Sequence, residues 1–90
     1  MRAINPSRKF QKEFKRCRAR GLPMQKLKTV VSFLASDTPL PASCRPHKLG
    51  GEYASFWECH ISGDWLLIYD LDDETNALDL LRTGTHADLF

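Results

Sequence analysis

The run Trp65-Leu66-Leu67-Ile68-Tyr69 decides the fold that we predict for this chain of 90 residues. Its five side chains are all apolar or aromatic, and successive side chains of a strand point to opposite faces of a sheet. A strand over Trp65 to Leu71 therefore has to be buried on both faces, at the centre of a sheet. The run is also far shorter than the roughly 20 residues that a membrane span needs, so we expect no contact with a membrane.

Strands are also predicted on both sides of this run. Apolar and polar residues alternate from Tyr53 to Ile61, which is typical of a strand with one buried face. Ser62-Gly63-Asp64 has the composition of a tight hairpin turn. A second turn over Asp72 to Asn76 leads to a last strand over Leu78 to Thr83. The second half of the chain thus predicts three consecutive antiparallel strands.

The first half of the chain has a helical period after a short strand over Met1 to Ile4. Asn5-Pro6 predicts the start of a helix, with Asn as the N-cap and Pro at the first helical position, and Gly21 predicts its end. A second helix opens at Pro23 and stops before Asp37 to Pro41. We therefore predict one α+β domain over residues 1–90, with the order β-α-α-β-β-β and a helical hairpin packed on a small antiparallel sheet.

Charge is divided unevenly along the chain. Residues 1–48 hold 12 Lys/Arg and 2 Asp/Glu, a local charge of +10, whereas residues 49–90 hold 1 and 9, a local charge of −8. A basic half suggests a polyanionic partner, while the alternative is a solvated helix face that pairs with the acidic half. Arg82 is the only cation after Lys48. It lies in an apolar strand, where a lone charge needs a partner or a function.

Three histidines, His47, His60 and His86, are the candidates for chemistry. If they converge with Asp64 and Arg82 on one open face of the sheet, they suit phosphodiester cleavage without a metal. One group would deprotonate the RNA 2′-OH, another would protonate the leaving 5′-oxygen, and cations would stabilise charge on phosphorus. For each histidine alone, a surface or capping role is the alternative.

The three cysteines are an odd number at no repeated spacing, which indicates reduced thiols and a cytoplasmic protein. Cys44-x-x-His47 with Cys59-His60 offers four zinc ligands, but this spacing fits no standard pair of knuckles. Neighbouring Cys59 and His60 would also point to opposite faces of a strand. We therefore predict neither a metal nor a cofactor.

Aromatic residues could stack on RNA bases, and Trp57, Trp65 and Phe90 are the candidates. Both tryptophans occupy apolar strand positions, so burial in the core is their alternative. Phe90 ends a polar tail, where an aromatic ring has little core to join.

Several stretches in the second half carry a resemblance to a known family. With its basic first helix, the sequence resembles the YafQ family of bacterial toxins, in the RelE/ParE superfamily of type II toxin–antitoxin systems. The most specific stretches are H-x3-D-W-x-L-I-Y from His60 and the ending R-T-G-T-H-x-x-L-F from Arg82. The others are His47-Lys48-Leu49-Gly50-Gly51 and Glu58-Cys59-His60-Ile61.

The resemblance implies a RelE/ParE-like fold and a ribosome-dependent mRNA endonuclease. Such an enzyme cleaves message in the ribosomal A site without a metal and leaves a 2′,3′-cyclic phosphate or 3′-phosphate end. The functional set that the family implies is His47, His60, Asp64, Trp65, His86 and Phe90, and Arg82 matches the arginine of the closing motif.

Roles follow from combining this set with the chemistry of each group. We assign proton donation to His86, removal of the 2′-OH proton to His60 or Asp64, and charge stabilisation to Arg82 and His47. RNA contacts are assigned to Trp65, Phe90, Lys9, Lys12, Lys15 and Arg16.

The resemblance also implies partners, namely the 70S ribosome with its mRNA and a cognate antitoxin. The antitoxin would be DinJ-like, of the ribbon-helix-helix type, and would alone contact operator DNA. Two other functions stay open: a ParE-like toxin that inhibits DNA gyrase without chemistry, and a non-toxic basic RNA-binding adaptor.

Overall fold

The structure, a computed structural model, describes all residues from Met1 to Phe90. Three helices and five strands follow the chain, with single 3-10 turns at Ala42–Cys44 and Gly51–Tyr53. The helices are α1 (Arg8–Ala19), α2 (Met24–Ala35) and α3 (His86–Leu89). The strands are β1 (Ala3–Pro6), β2 (His47–Lys48), β3 (Trp57–Ser62), β4 (Trp65–Asp72) and β5 (Ala77–Thr85).

The five strands form one sheet in the order β1-β5-β4-β3-β2. Strand β4 lies at its centre, as its apolar run predicts, with β3 and β5 antiparallel on either side. The prediction of an antiparallel sheet holds for β2 to β5, but β1 pairs parallel to β5, with Ala3 opposite Ala77 and Pro6 opposite Leu80. This pairing joins the two ends of the chain, so no local pattern encodes it.

Helix α1 starts later than predicted, and its end is confirmed. Asn5 and Pro6 belong to β1, and Ser7 is the N-cap because its hydroxyl accepts the Phe10 N–H at 3.0 Å. At the other end, Gly21 has a positive φ of 80°. Its N–H donates to the Arg18 carbonyl at 3.0 Å, and the Leu22 N–H donates to the Cys17 carbonyl at 3.2 Å. These two bonds form a Schellman motif, which favours glycine after the last turn.

Strand β4 divides the interior into two unequal parts. On the side that we call the helix face, Trp65, Leu67 and Tyr69 join a cluster of 14 buried residues that includes the inner faces of α1 and α2. On the opposite side, the second face, Leu66 and Ile68 form a cluster of only 3 buried residues with Leu89 of α3. None of the helices is long and apolar enough to cross a membrane.

Candidate active site

The strand register places the predicted site on the second face. On β3, Cys59 packs in the helix-face cluster, so Glu58 and His60 point to the other side. Glu58 lies opposite His47 on β2 and opposite Ile68 on β4, which in turn lies opposite Arg82. The predicted catalytic residues of β2, β3 and β5 therefore share one face of the sheet.

His60, Asp64 and His86 lie at one end of this face. His60 is opposite Leu66, which is opposite Gly84 on β5, so two strand spacings, roughly 10 Å, separate the His60 and Gly84 backbones. His86 follows two residues later, and its Nδ1 is 3.7 Å from the Asp64 Oδ1. Side chains of His86 and Asp64 are 61% and 63% exposed. His86 and Asp64 are therefore adjacent and exposed, and the half-buried His60 lies at the same end of the second face.

The hydrogen bond of His60 sets which of its two ring nitrogens carries the proton in the neutral form. Its Nδ1 is 3.1 Å from the Gly63 carbonyl oxygen. Because a carbonyl only accepts, the neutral ring carries its proton on Nδ1 and presents Nε2 as a free acceptor. The turn that joins β3 to β4 thus orients the His60 ring so that Nε2 is available to accept a proton.

His47 has a different environment from the other two histidines. Its Nδ1 is 3.1 Å from the Arg45 carbonyl oxygen, and its Nε2 is 3.4 Å from the Glu58 Oε1. The Nδ1–H can donate to the Arg45 carbonyl, while Glu58 lies at ion-pair distance from Nε2. Glu58 is buried, with its side chain 5% exposed, and its carboxylate forms an ion pair with His47.

Arg82 is held by a carboxylate that sequence reasoning missed. Its Nη2 donates to the Glu13 Oε2 at 2.5 Å and its Nη1 to the Tyr53 hydroxyl at 2.9 Å. The Glu13 Oε1 also accepts the Thr83 N–H at 3.3 Å, where β1 no longer covers the edge of β5. Bonding to Glu13 raises the pKa of Arg82 far above its usual value. The lone cation of the acidic half thus has a buried partner on α1.

An aromatic group lies between Arg82 and His86. The Tyr53 and Phe90 rings meet edge to face with centroids 5.9 Å apart, and the Phe90 and His86 rings are 5.3 Å apart. Phe90 is 58% exposed, as expected for a ring that contacts a ligand. Tyr53 was not predicted as a site residue, because it occupies an apolar position in the alternating pattern from Tyr53 to Ile61, which indicated a place in the core.

Trp65 does not fit the predicted contact with RNA. Its side chain lies on the helix face and is only 2% exposed, so it cannot stack on a base. Its Nε1 donates to the Thr83 hydroxyl at 2.8 Å. Trp65 is buried because the odd residues of β4 face the helices. Its hydrogen bond links β4 to β5 on the side of the sheet opposite the site.

The cations of the basic half fall into two classes. Lys9, Lys12, Lys15 and Arg16 of α1 are all exposed, as their predicted contact with RNA requires, and of these Arg16 also lies 3.8 Å from the Glu13 Oε2. Other cations form close ion pairs: Arg2 with Asp37 and Asp73, and Arg20 with Asp88. The alternative reading, in which the basic half pairs with the acidic half, thus holds for Arg2 with Asp73 and for Arg20 with Asp88, whereas Asp37 belongs to the basic half itself.

The four candidate zinc ligands do not converge. Cys44 and Cys59 are buried in the helix-face cluster, whereas His47 and His60 lie on the second face. Burial raises the pKa of Cys59 to about 12, so it is no thiolate ligand or nucleophile at neutral pH. No group of three or more His, Cys, Asp or Glu side chains is arranged to hold a metal ion.

Comparisons with known proteins agree with this fold. The family described as "Bacterial toxin of type II toxin-antitoxin system, YafQ" matches residues 2–90. The mRNA interferase toxin YafQ of Escherichia coli K12 is 40% identical over 90 residues, which cover 99% of this chain and 96% of that protein.

Solved structures agree as well. A metal-bound toxin from Helicobacter pylori has a TM-score of 0.94 at 38% identity, with 100% of both chains covered. A chain of the E. coli DinJ–YafQ toxin–antitoxin complex has a TM-score of 0.88 at 39% identity and covers 99% of this chain and 97% of that one. The resemblance seen in the sequence is thus confirmed, and the chain belongs to the YafQ family of bacterial toxins of type II toxin–antitoxin systems.

Proposed function

We propose that this chain is a toxin that cleaves mRNA on the ribosome by metal-independent acid–base catalysis. The observation that carries the proposal is the grouping of His60, Asp64 and His86 at one exposed end of the second face. The name of the E. coli relative, an mRNA interferase toxin, supports the same substrate class. A YafQ-family toxin with this grouping has the groups that RNA cleavage needs.

The proposed reaction is a transesterification at phosphorus. His60 Nε2 accepts the proton of the RNA 2′-OH, the 2′-oxygen forms a bond to phosphorus, and the bond to the 5′-oxygen breaks. His86 donates a proton to that leaving oxygen, and the Asp64 Oδ1 lies 3.7 Å from the His86 Nδ1. The products are a 2′,3′-cyclic phosphate and a 5′-hydroxyl. Protons are exchanged between the two histidines and the RNA, so the step balances without a co-reactant.

Charge on phosphorus has to be stabilised during this step. His47 can supply it as an imidazolium on the same face. Both groups have a carboxylate partner, but the Arg82 side chain is only 14% exposed and the His47 side chain is 51% exposed. The contribution of Arg82 is therefore to hold Tyr53 and the β5 edge in place. We therefore propose His47, rather than Arg82, as the principal charge-stabilising group.

The ribosome supports catalysis in two ways. The imidazoles line none of the three cavities in the structure, so the site is shallow and needs an external scaffold to orient the message. The exposed cations Lys9, Lys12, Lys15 and Arg16 would contact ribosomal RNA through phosphates. Binding should therefore weaken as salt rises.

A cognate antitoxin is the second proposed partner. The E. coli DinJ–YafQ complex has a chain with the same fold over 99% of this one. We propose a DinJ-like antitoxin of the ribbon-helix-helix type, which covers this toxin and connects it to operator DNA.

The function is tested by regulated expression of the chain in growing bacteria and by mapping of new mRNA 5′ ends. We expect codon-positioned ends for the parent and a loss of about 10²- to 10⁴-fold in cleavage for His86→Ala. Asp64→Asn should also weaken cleavage, whereas Glu74→Gln, an exposed carboxylate in the distant β4–β5 turn, is the matched control. Growth arrest without new ends, or full toxicity of His86→Ala, would instead indicate a non-catalytic toxin.

A further inference from the structure

The short helix α3 carries two of the proposed functional residues. His86 is its first residue, and Phe90 follows its last, with the Phe90 N–H donating to the His86 carbonyl at 2.9 Å. A helix of 4 residues has too few internal hydrogen bonds to be stable alone. The position of the proposed general acid therefore depends on what holds this turn.

Asp88 is the centre of the contacts that hold α3. Its carboxylate accepts the Thr85 N–H at 2.9 Å, and the Thr85 hydroxyl accepts the Asp88 N–H at 3.3 Å. Together these bonds form a capping box. Gly84 leaves room for the carboxylate, since a Cβ there would lie 2.9 Å from the Asp88 Cβ.

Arg20 holds this carboxylate from the other end of the sequence. Its Nη1 donates to the Asp88 Oδ2 at 2.6 Å and its Nη2 to the Asp88 Oδ1 at 3.1 Å. The bidentate geometry fixes the orientation of the carboxylate as well as its position. Arg20 is the C-cap of α1, so the anchor belongs to a long helix that packs in the core.

We propose that Arg20 is a positioning residue for the active site and that it acts through Asp88 to hold His86 and Phe90 in place. This role rests on the nuclease function proposed above. The pKa of Asp88 supports it, because bonding to Arg20 holds that pKa well below its ordinary value. Arg20 therefore does not belong with the cations that contact RNA phosphates, although its position on the basic helix suggests it does.

A double-mutant cycle of Arg20→Ala with Asp88→Asn tests the proposal on ribosome-bound message. In Asp88→Asn, the amide oxygen of the new side chain can still accept the Thr85 N–H. We expect Arg20→Ala to lower kcat by about 10- to 100-fold, as for a displaced catalytic group, with KM nearly unchanged. In the Asp88→Asn background the same change should cost nothing further. Arg20→Lys should recover part of the loss.

Two results would overturn the proposal. Losses that multiply in the double variant would show that Arg20 acts independently of Asp88. A raised KM with unchanged kcat would make Arg20 an RNA ligand.

A second measurement needs neither ribosome nor RNA. Backbone NMR order parameters of residues 86–90 report the order of α3 directly, and we expect them to fall equally in both single variants and in the double variant. Arg18→Ala is the matched control, since Arg18 lies over the Phe14 ring at 5.8 Å and should leave α3 ordered. If the parent chain fails to cleave mRNA, the proposed function is wrong, but the order parameters still test whether Arg20 positions α3. Unchanged order parameters in Arg20→Ala would reject the positioning role of Arg20.

Discussion

The two faces of strand β4 are equally well buried but differ in what they support. Leu67 on the helix face and Leu66 on the second face are both 0% exposed. Leu67 belongs to a cluster of 14 buried residues, whereas Leu66 belongs to one of 3. The helix face holds the fold together, and the second face is a thin layer that carries the histidines. The difference shows how a chain of this length can expose a polar site on one side of its sheet.

The two faces meet where α1 crosses the edge of β5. Glu13 lies at this edge and binds the Arg82 side chain and the Thr83 N–H. Because Arg82 lies on the second face and Thr83 is bonded to Trp65 on the helix face, Glu13 joins the two. Substitutions of Glu13 and of one leucine on each face should therefore show which contacts determine the free energy of unfolding and which determine mRNA cleavage.

The largest effect on stability is expected for Glu13→Ala. It leaves the Arg82 guanidinium and the Thr83 N–H without their acceptor, and breaking such a buried pair costs about 3–5 kcal/mol. The free energy of unfolding in urea measures this loss. Glu52→Ala removes an exposed carboxylate and is the control, expected to change stability by no more than about 0.5 kcal/mol. A loss below about 1 kcal/mol for Glu13→Ala would show that the pair does not join the faces.

The next prediction compares the two leucines directly. Truncation of a buried leucine costs about 2–5 kcal/mol, and the cost is larger where the surroundings cannot collapse. We expect Leu67→Ala in the upper part of this range and Leu66→Ala in the lower part. Urea unfolding gives the two values, and mRNA cleavage per folded molecule gives the second comparison. Leu66→Ala should lose more cleavage, because Leu66 lies beside His60 as its cross-strand partner on the second face. Equal losses of stability and cleavage would remove the distinction between the faces.

The smallest expected effect is on the unfolding free energy when the pH is lowered. The pKa of Asp88 is lowered in the folded state, chiefly by Arg20, so the ion pair stabilises the protein above the ordinary Asp pKa of about 3.9. That stabilisation is lost as the pH falls through the lowered folded value. The unfolding free energy should therefore fall less steeply from about pH 4 downward in Asp88→Asn than in the parent. Arg20→Ala should flatten it in the same way, and a parent-like slope in both variants would contradict the pair.

Much of the fold follows from local patterns. The apolar run from Trp65 to Tyr69 identified the central strand, and Gly21 identified the end of α1. The start of α1 was wrong because Pro6 suits the edge of a strand as well as the first turn of a helix. The parallel pairing of β1 with β5 connects residues more than 70 positions apart, which no local pattern reports.

The candidate site divides in the same way. Alternation along β3 put His60 on the face away from the helices, and the structure places it at the same end of that face as Asp64 and His86. Which strand ends coincide could not be read from the sequence. The burial of Trp65 depends on which face of β4 the helices cover, and its strand position allowed both readings. The partners of Arg82, Glu13 and Tyr53, lie 69 and 29 residues away in sequence, beyond any local pattern.

By itself, the sequence determined the central strand with its two antiparallel neighbours, the two long helices, which groups can carry protons, and which family the chain resembles. These properties depend on side-chain chemistry and on short periods along the chain. Only the tertiary structure decided which cations are held by distant carboxylates. Arg2, Arg20 and Arg82 have such partners, whereas Lys9, Lys12 and Lys15 have none and Arg16 has only the local partner Glu13 on the same helix. The physical reason is that an ion pair depends on distance in space, which the fold sets, and not on separation along the chain.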